Sequence, residues 1–261
     1  MGKITEALRK AAEDRLERID KITRIREHKE LVVKKIGDSK TDPRLVTYFD
    51  PKALITEQYK ILRTNILSTS AKRPLKTLVV TSSVHSEGKT VTALNLAMVI
   101  AQSTQKPRVL LIDADMRRGR VAKYLGVDHK VGLTEILTGK AEPSEALFHI
   151  DLENLTFIAA GAVAENPAEL LGSEAMKQFL ADMKTQFDHI ILDTPPIVSV
   201  TDSGIIGALA DGVLMVIQAG RTQRGIVQRA TELLDQAHCK LIGHVLTNIE
   251  YHLPEYIYRY L

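Results

Sequence analysis

From about Pro74 onward, short β-branched runs alternate with stretches whose apolar residues recur every three or four positions. Thr77–Thr81, Val109–Ile112, Leu155–Ala159, His189–Leu192, Val213–Ile217 and Leu241–Leu246 read as strands. Helical patterns separate most of them, as in Thr90–Gln102, Met176–Phe187 and Gly225–Ala237. Strands that are apolar throughout and interleaved with helices predict an α/β fold, a mostly parallel central sheet with helices on both faces. A further helix is expected from about Ala53 to Thr69, and residues 37–43 (GDSKTDP) form a linker by composition. Nearer the N-terminus, Ile4, Leu8, Ala11, Ala12, Leu16, Ile19 and Ile22 trace a narrow apolar stripe through a heavily charged segment. That pattern fits an amphipathic helix docking on a partner, a sister subunit or a membrane surface. It equally fits a solvated helix held by charge pairs.

Composition narrows the picture. A 261-residue chain with 44% hydrophobic and 26% charged residues has room for one large domain plus appendages. Cys239 is the only cysteine, which excludes an intrachain disulfide and points to a reducing cytosol. The first residues lack the apolar core of a signal peptide, and the most apolar stretch, Ile205 to Gly220, is interrupted by Asp211 and too short to span a bilayer. A soluble cytoplasmic protein is expected. Residues 1–40 carry twelve Lys and Arg against eight Asp and Glu, so the net charge of +3 lies in the N-terminal arm and the remainder is near −1. A near-neutral main domain argues against nucleic-acid binding.

The chemistry is concentrated after the first strand. Ser82 to Thr90 joins that strand to a helix, the context a phosphate-binding loop requires. Gly88 lets the backbone approach phosphate, and the amides of Ser86, Glu87, Gly88, Lys89 and Thr90 open the helix toward it. Lys89 supplies a point charge to the β- and γ-phosphates, and the Thr90 hydroxyl suits Mg²⁺. Two further strands end in acids, in VLLIDADMRR (Asp113, Asp115) and HIILDTPP (Asp193). Ligands of open α/β sheets bind at the carboxyl ends of the strands, so these acids should converge on the loop. Three carboxylates beside a triphosphate call for a divalent cation. At the other end, four of seven tyrosines (Tyr251, Tyr256, Tyr258 and Tyr260) fall within the last eleven residues. They are either phosphate acceptors or, for Tyr256, Tyr258 and Tyr260, which are spaced by two, one face of an edge strand.

These motifs together resemble the bacterial tyrosine kinases of the exopolysaccharide and capsule type, from about Leu54 to the C-terminus. TSSVHSEGKT is similar to the family's T-S-S-x-P-G-E-G-K-S/T, with His85 and Ser86 in place of Pro and Gly. Asp113, Asp115 and Arg117 match D-x-D-x-R, Ile190 to Pro196 match the third motif, and Gly132–Gly139 and Ala159–Ser173 resemble two further family segments. Glu57, Lys60 and Arg63 stand where the family has the oligomerisation motif E-x-x-R-x-x-R, with Lys60 replacing an Arg.

The resemblance implies a P-loop NTPase-like fold and a protein-tyrosine autokinase using Mg-ATP. Thr90, Asp115 and Asp193 would serve the metal, and Asp113 would be the base or orienter. Asn248 would contact adenine, and the tail tyrosines would be acceptors presented to a neighbouring subunit in a ring. It also implies a separate transmembrane activator that recruits the protein to the membrane, possible exogenous protein substrates, and regulation of exopolysaccharide or capsule synthesis. The expected organisation is an arm and linker over 1–40, a linker and oligomerisation helix over 41–75, the kinase domain over 76–247 and the tyrosine tail over 248–261. The rival reading is a ParA/MinD-like ATPase switch acting in positioning at a surface. That group has a signature lysine where this chain has Val84, and it has no use for a tyrosine tail.

Overall fold

The computed structural model describes residues 33–34, 41–72, 75–150, 152 and 154–249. The N-terminal apolar stripe and the tail tyrosines lie outside the described residues. Eight strands form one sheet: β1 (Val33–Lys34), β2 (Thr77–Ser82), β3 (Val109–Asp113), β4 (Phe148–Ile150), β5 (Leu155–Ile158), β6 (His189–Asp193), β7 (Gly212–Gln218) and β8 (Leu241–Thr247). Their order is β1-β4-β5-β3-β6-β2-β7-β8, and every pairing is parallel except β4 with β5. All six expected strands are present. The short β1 and β4 are additions, with too few residues to show a period of their own.

The helices are α1 (Val46–Phe49), α2 (Leu54–Lys72), α3 (Lys89–Ala101), α4 (Val121–Leu125), α5 (Leu133–Leu137), α6 (Pro143–Ala146), α7 (Pro167–Gly172), α8 (Glu174–Gln186), α9 (Asp202–Leu209) and α10 (Arg224–Gln236). β2 and β3 are buried along their whole length, as their unbroken apolar runs require for strands covered on both faces. α3 is sunk in one apolar layer with Leu94, Leu96, Met98 and Ile100, against Phe157 and Leu111. The opposite layer sets Met176, Phe179, Leu180 and Met183 of α8 against Leu110, Ile190 and Leu192. The order of the strands puts β2 inside the sheet, between β6 and β7, with the loop that follows it at the carboxyl end.

Two polar devices, the buried Asn95 and the half-buried Asp211, fix the edges of this frame. Asn95 of α3 accepts hydrogen bonds from the Thr47 N–H at 3.0 Å and the Thr47 hydroxyl at 2.9 Å, and donates to the Arg44 carbonyl at 3.0 Å. It thereby ties residues 44–47 to the helix behind the phosphate loop. Asp211 accepts from the Lys76 and Thr77 N–H groups at 3.0 and 2.8 Å, from the Thr77 hydroxyl at 2.8 Å and from the Lys184 ammonium at 3.3 Å. This one carboxylate sets the starts of β2 and β7 and the end of α8. Burial alone would raise its pKa, but the Thr77 donors and Lys184 outweigh that and hold it below the usual value.

A carboxylate with a depressed folded pKa stabilises above its unfolded pKa near 4 and loses that contribution as pH falls through the folded value. Asp211→Ala is therefore expected to cost about 2 kcal/mol at neutral pH. Denaturant melts at pH 7 and pH 3 check this: the gap between variant and wild type should narrow at the lower pH.

Candidate active site

The phosphate loop is shaped from both sides. Gly88 has φ +91° and is the N-cap of α3, where it offers no side chain to the first amides of the helix. Those amides are left for an anion, and the helix dipole adds to their pull. Ser86 also sits in the left-handed region, at φ +67°, which explains why glycine suits this position and a serine is strained there. Glu87 is almost fully buried. Its carboxylate accepts from the Val84 N–H at 2.8 Å, the Gln218 N–H at 3.3 Å and the Thr222 hydroxyl. The Glu87 side chain thus braces the loop against the end of β7, and only its backbone is free to face a phosphate. Thr247, at the end of β8, completes the brace by donating to the Glu87 carbonyl at 2.7 Å, with its methyl group behind Gly88.

Lys89 lies among the acids at the strand ends. Its ammonium is 3.3 Å from Asp115 and 3.4 Å from Asp193, and the Thr90 hydroxyl donates to Asp193 at 2.7 Å. Asp113 and Asp193 are direct neighbours across the β3–β6 pairing, so the convergence expected from the two acid-ended strands is a matter of register. Both oxygens of Asp113 are engaged, one by the Asp115 N–H at 3.2 Å and the other by the Val121 N–H at 2.9 Å. Burial first, then the Asp193 charge, push the Asp113 carboxyl up to about 7. Burial also raises Asp193, against the pull of Lys89 and Thr90. Burial would lower Lys89, but Asp193, Asp115 and Asp113 outweigh it and keep the ammonium firmly charged.

A cleft of about 260 Å³ opens over this cluster, lined by Ser86, Gly88, Lys89, Thr90 and Asp115 and, on the far wall, by Arg44, Arg118, Arg120 and Tyr124. Among the described residues no three His, Cys, Asp or Glu side chains group to hold a metal alone. A cation here would depend on Thr90, one or two carboxylates and phosphate oxygens, the donor set that suits Mg²⁺. The far wall was not read from the sequence. Arg44 lies 45 residues before Lys89, and the anchoring of its carbonyl by Asn95, with the Asp42 N–H on the Tyr124 carbonyl, brings it here.

Asn248 (φ +54°) lies just beyond β8 and lines an apolar groove against α2, with Ile55, Tyr59 and Leu62. Arg117 forms a two-pronged pair with buried Asp202 at 2.8 and 3.0 Å, so it holds α9 to the loop after β3. In the expected oligomerisation motif, Lys60 pairs with Glu57 at 2.7 Å, and Arg63 donates to the Val99 carbonyl at 2.8 Å.

A strand, a glycine-bearing loop with Gly88-Lys89-Thr90, a helix and paired acids at neighbouring strand ends define a P-loop nucleotide-binding protein. The AAA domain family profile matches residues 76–241. Tyrosine-protein kinase YwqD of Bacillus subtilis is 37% identical over 216 residues, 83% of this chain and 90% of that protein. A putative tyrosine-protein kinase, CapB of Staphylococcus aureus, is 30% identical over 205 residues, 78% of this chain and 89% of that protein. The kinase domain of the Escherichia coli tyrosine kinase ETK superposes with a TM-score of 0.75 at 29% identity, covering 90% of this chain and 89% of that domain. The chimerical protein CapA2B2 superposes at 0.77 with 25% identity, over 85% of this chain and 96% of its own. More distantly, a cobyrinic acid a,c-diamide synthase from Mycobacterium smegmatis with bound ATP analogue and magnesium superposes at 0.59 with 26% identity, over 69% and 75% of the two chains. The chain belongs to the bacterial tyrosine-protein kinases, and it binds nucleotide in the P-loop manner.

The strain at Ser86 gives a direct test of the loop. Ser86→Gly relieves the left-handed penalty but loosens the unfolded chain, for a net gain of about 0.5 kcal/mol. Ser86→Val, β-branched, is expected to lose ATP binding while the fold persists. Thermal melts and ATP titration of the two variants check this.

Proposed function

We propose that this protein is an autokinase that transfers the γ-phosphoryl group of ATP to its own C-terminal tyrosines, Tyr251, Tyr256, Tyr258 and Tyr260. The observation that carries the reading is the buried cluster in which Lys89, Thr90 and Asp115 meet Asp113 and Asp193 at the mouth of the phosphate loop. The α3 amides and Lys89 hold the phosphates. Thr90 and Asp115, with Asp193 behind Thr90, would hold Mg²⁺, which neutralises charge on the β- and γ-phosphates when bound. The tyrosine oxygen attacks the γ-phosphorus, the bond to the β,γ-bridging oxygen breaks, and the hydroxyl proton passes to Asp113. The products are phosphotyrosine and ADP. A carboxyl with a pKa of about 7 is well matched to that role.

The acceptor tail is presented to a neighbouring copy of the chain, within an oligomer that includes α2. Supporting this, Leu54, Ile55 and Ile61 of α2 are each more than half exposed. By the family's pattern, the kinase regulates exopolysaccharide or capsule synthesis or export, acts in the cytoplasm and is recruited to the membrane by a separate protein. No helix among the described residues is long and apolar enough to cross a membrane. A positioning ATPase is the weaker reading, because Val84 stands where that class carries its lysine and the relatives are kinases.

Lys89→Met and Asp115→Asn should each lower autophosphorylation on the order of 10³-fold, since phosphoryl transfer rests on charge neutralisation and positioning. Asp113→Asn is expected to lose about 10² in turnover while still binding ATP, in keeping with removal of a general base. Phosphotyrosine blots beside ATP titration separate these effects, and wild-type turnover in Asp113→Asn would reassign the base.

Mixing two defective chains tests transfer between subunits. Lys89→Met keeps the tail but not the catalyst, and the variant with all four tail tyrosines changed to Phe keeps only the catalyst. Phosphotyrosine should appear on the Lys89→Met chain, fall steeply on dilution, and fall further when Glu57 and Lys60 are changed to Ala. A Lys89→Met chain that stays unmodified at high concentration would mean that each subunit modifies itself.

A further inference from the structure

The phosphate cleft carries two cations that make no ion pair among the described residues. Of the basic residues lining it, Lys89 is held by Asp115 and Asp193, and Arg44 forks onto Asp42 at 2.7 Å while lying over the Tyr124 ring. Arg118 and Arg120 line the same cleft, are exposed, and make no ion pair among the described residues.

Their backbone is locked to the catalytic carboxylates. The Arg118 N–H donates to Asp115 at 3.0 Å, and the N–H of Val121, next after Arg120, donates to Asp113 at 2.9 Å. Between them, Gly119 is packed so closely that a Cβ would meet the Ala160 methyl at 2.5 Å and Asp113 at 3.0 Å. The two arginines therefore project from backbone held in a fixed register relative to the groups that act on the acceptor hydroxyl. The phosphates are already served by Lys89, Thr90 and the α3 amides, which leaves the arginines for another anion.

The tail supplies one. Tyr251 follows Glu250 and Tyr256 follows Glu255, whereas Tyr258 follows Ile257 and Tyr260 follows Arg259. A glutamate beside the acceptor tyrosine would be repelled by Asp113, Asp115, Asp193 and a triphosphate unless a cation received it.

Building on the autokinase reading above, we propose that Arg118 and Arg120 determine acceptor specificity by binding a carboxylate immediately N-terminal to the target tyrosine. Guanidinium groups suit this, because their planar fork takes a carboxylate through two parallel hydrogen bonds. The site thus selects acidic-Tyr sequences, in this chain Tyr251 and Tyr256 ahead of Tyr258 and Tyr260. An exogenous substrate would be chosen by the same rule.

The test follows the full-length protein in Mg²⁺–ATP with phosphosite mapping by mass spectrometry over time. It is paired with steady-state kinetics on a synthetic NIEYHLPEYIYRYL peptide and its Glu-to-Gln counterpart. Tyr251 and Tyr256 should be modified first, and the Gln peptide should show a KM about tenfold higher, as for loss of a charge-assisted contact. In the Arg118→Ala, Arg120→Ala double variant the two peptides should become equivalent, with the ATP dissociation constant unchanged, and Arg→Lys replacement should restore the preference only in part. Phosphotyrosine formed without preference among the four sites, or equal KM values in the wild type, would overturn the inference while leaving the kinase reading intact. Weaker ATP binding in the double variant would assign the arginines to the nucleotide instead. An absence of phosphotyrosine would overturn both readings together.

Discussion

One buried ammonium faces three buried carboxylates, and much of the rest of the molecule is arranged to permit it. Lys89 is mostly buried, Asp113 and Asp193 almost wholly so, and the register of β3 on β6 forces those two acids side by side. Burying like charges together is unfavourable unless something compensates. Part of the compensation is visible in the backbone N–H groups on Asp113 and the Thr90 hydroxyl on Asp193. Part is visible in the raised proton affinity of both acids. The remaining imbalance of one cation against three acids is the electrostatic case for a divalent ion arriving with the nucleotide. The site stores an unmet demand for positive charge, which the triphosphate increases and Mg²⁺ would meet.

That demand could not be held in a soft loop. The strained Ser86, the left-handed Gly88 and the buried Glu87 form a rigid turn, and Glu87 carries its tension to Gln218 and Thr222 beyond β7. Arg117 and Asp202 do the same on the other side, tying the loop after β3 to α9. Phosphoryl transfer depends on placing groups accurately rather than on covalent chemistry by the protein, so rigidity around the cluster is a direct contribution to function.

β8 (LIGHVLT), broken by Gly243 and His244, is a partly exposed edge strand. Most of the longer strands were legible because they are nearly unbroken apolar runs, which survive only where both faces are covered. The short β4, antiparallel to β5, was not, since Phe148–Ile150 is too brief to show a period. Lys89, Thr90, Asp113, Asp115 and Asp193 were legible because the end of a strand in an open sheet is where ligands bind, whatever the fold's details. The far wall was hidden for the opposite reason. Arg44 reaches the cleft through long-range contacts, the Asn95 bridge to α3 and the Tyr124 ring, and Thr247 reaches Glu87 across 160 residues of sequence. No local pattern encodes either contact. Thr247 touches the loop and, with Asn248, lines the groove along α2.

The Thr247–Glu87 bond also bears on how the tail reaches a catalytic site. It fixes the end of β8 behind the phosphate loop, so the tail departs from a point beside its own nucleotide. Twelve extended residues span about 40 Å, which is ample to cover the width of a domain this size. Reach alone therefore does not decide between transfer within one chain and transfer between chains. β8 ends on one side of the loop, whereas Arg118, Arg120 and Asp113 lie on the β3 side, with β7, β2 and β6 between. Under the proposal made above, a neighbouring copy would offer its tail along the exposed arginine wall, where its glutamates meet cations before they meet Asp113, Asp115 and Asp193.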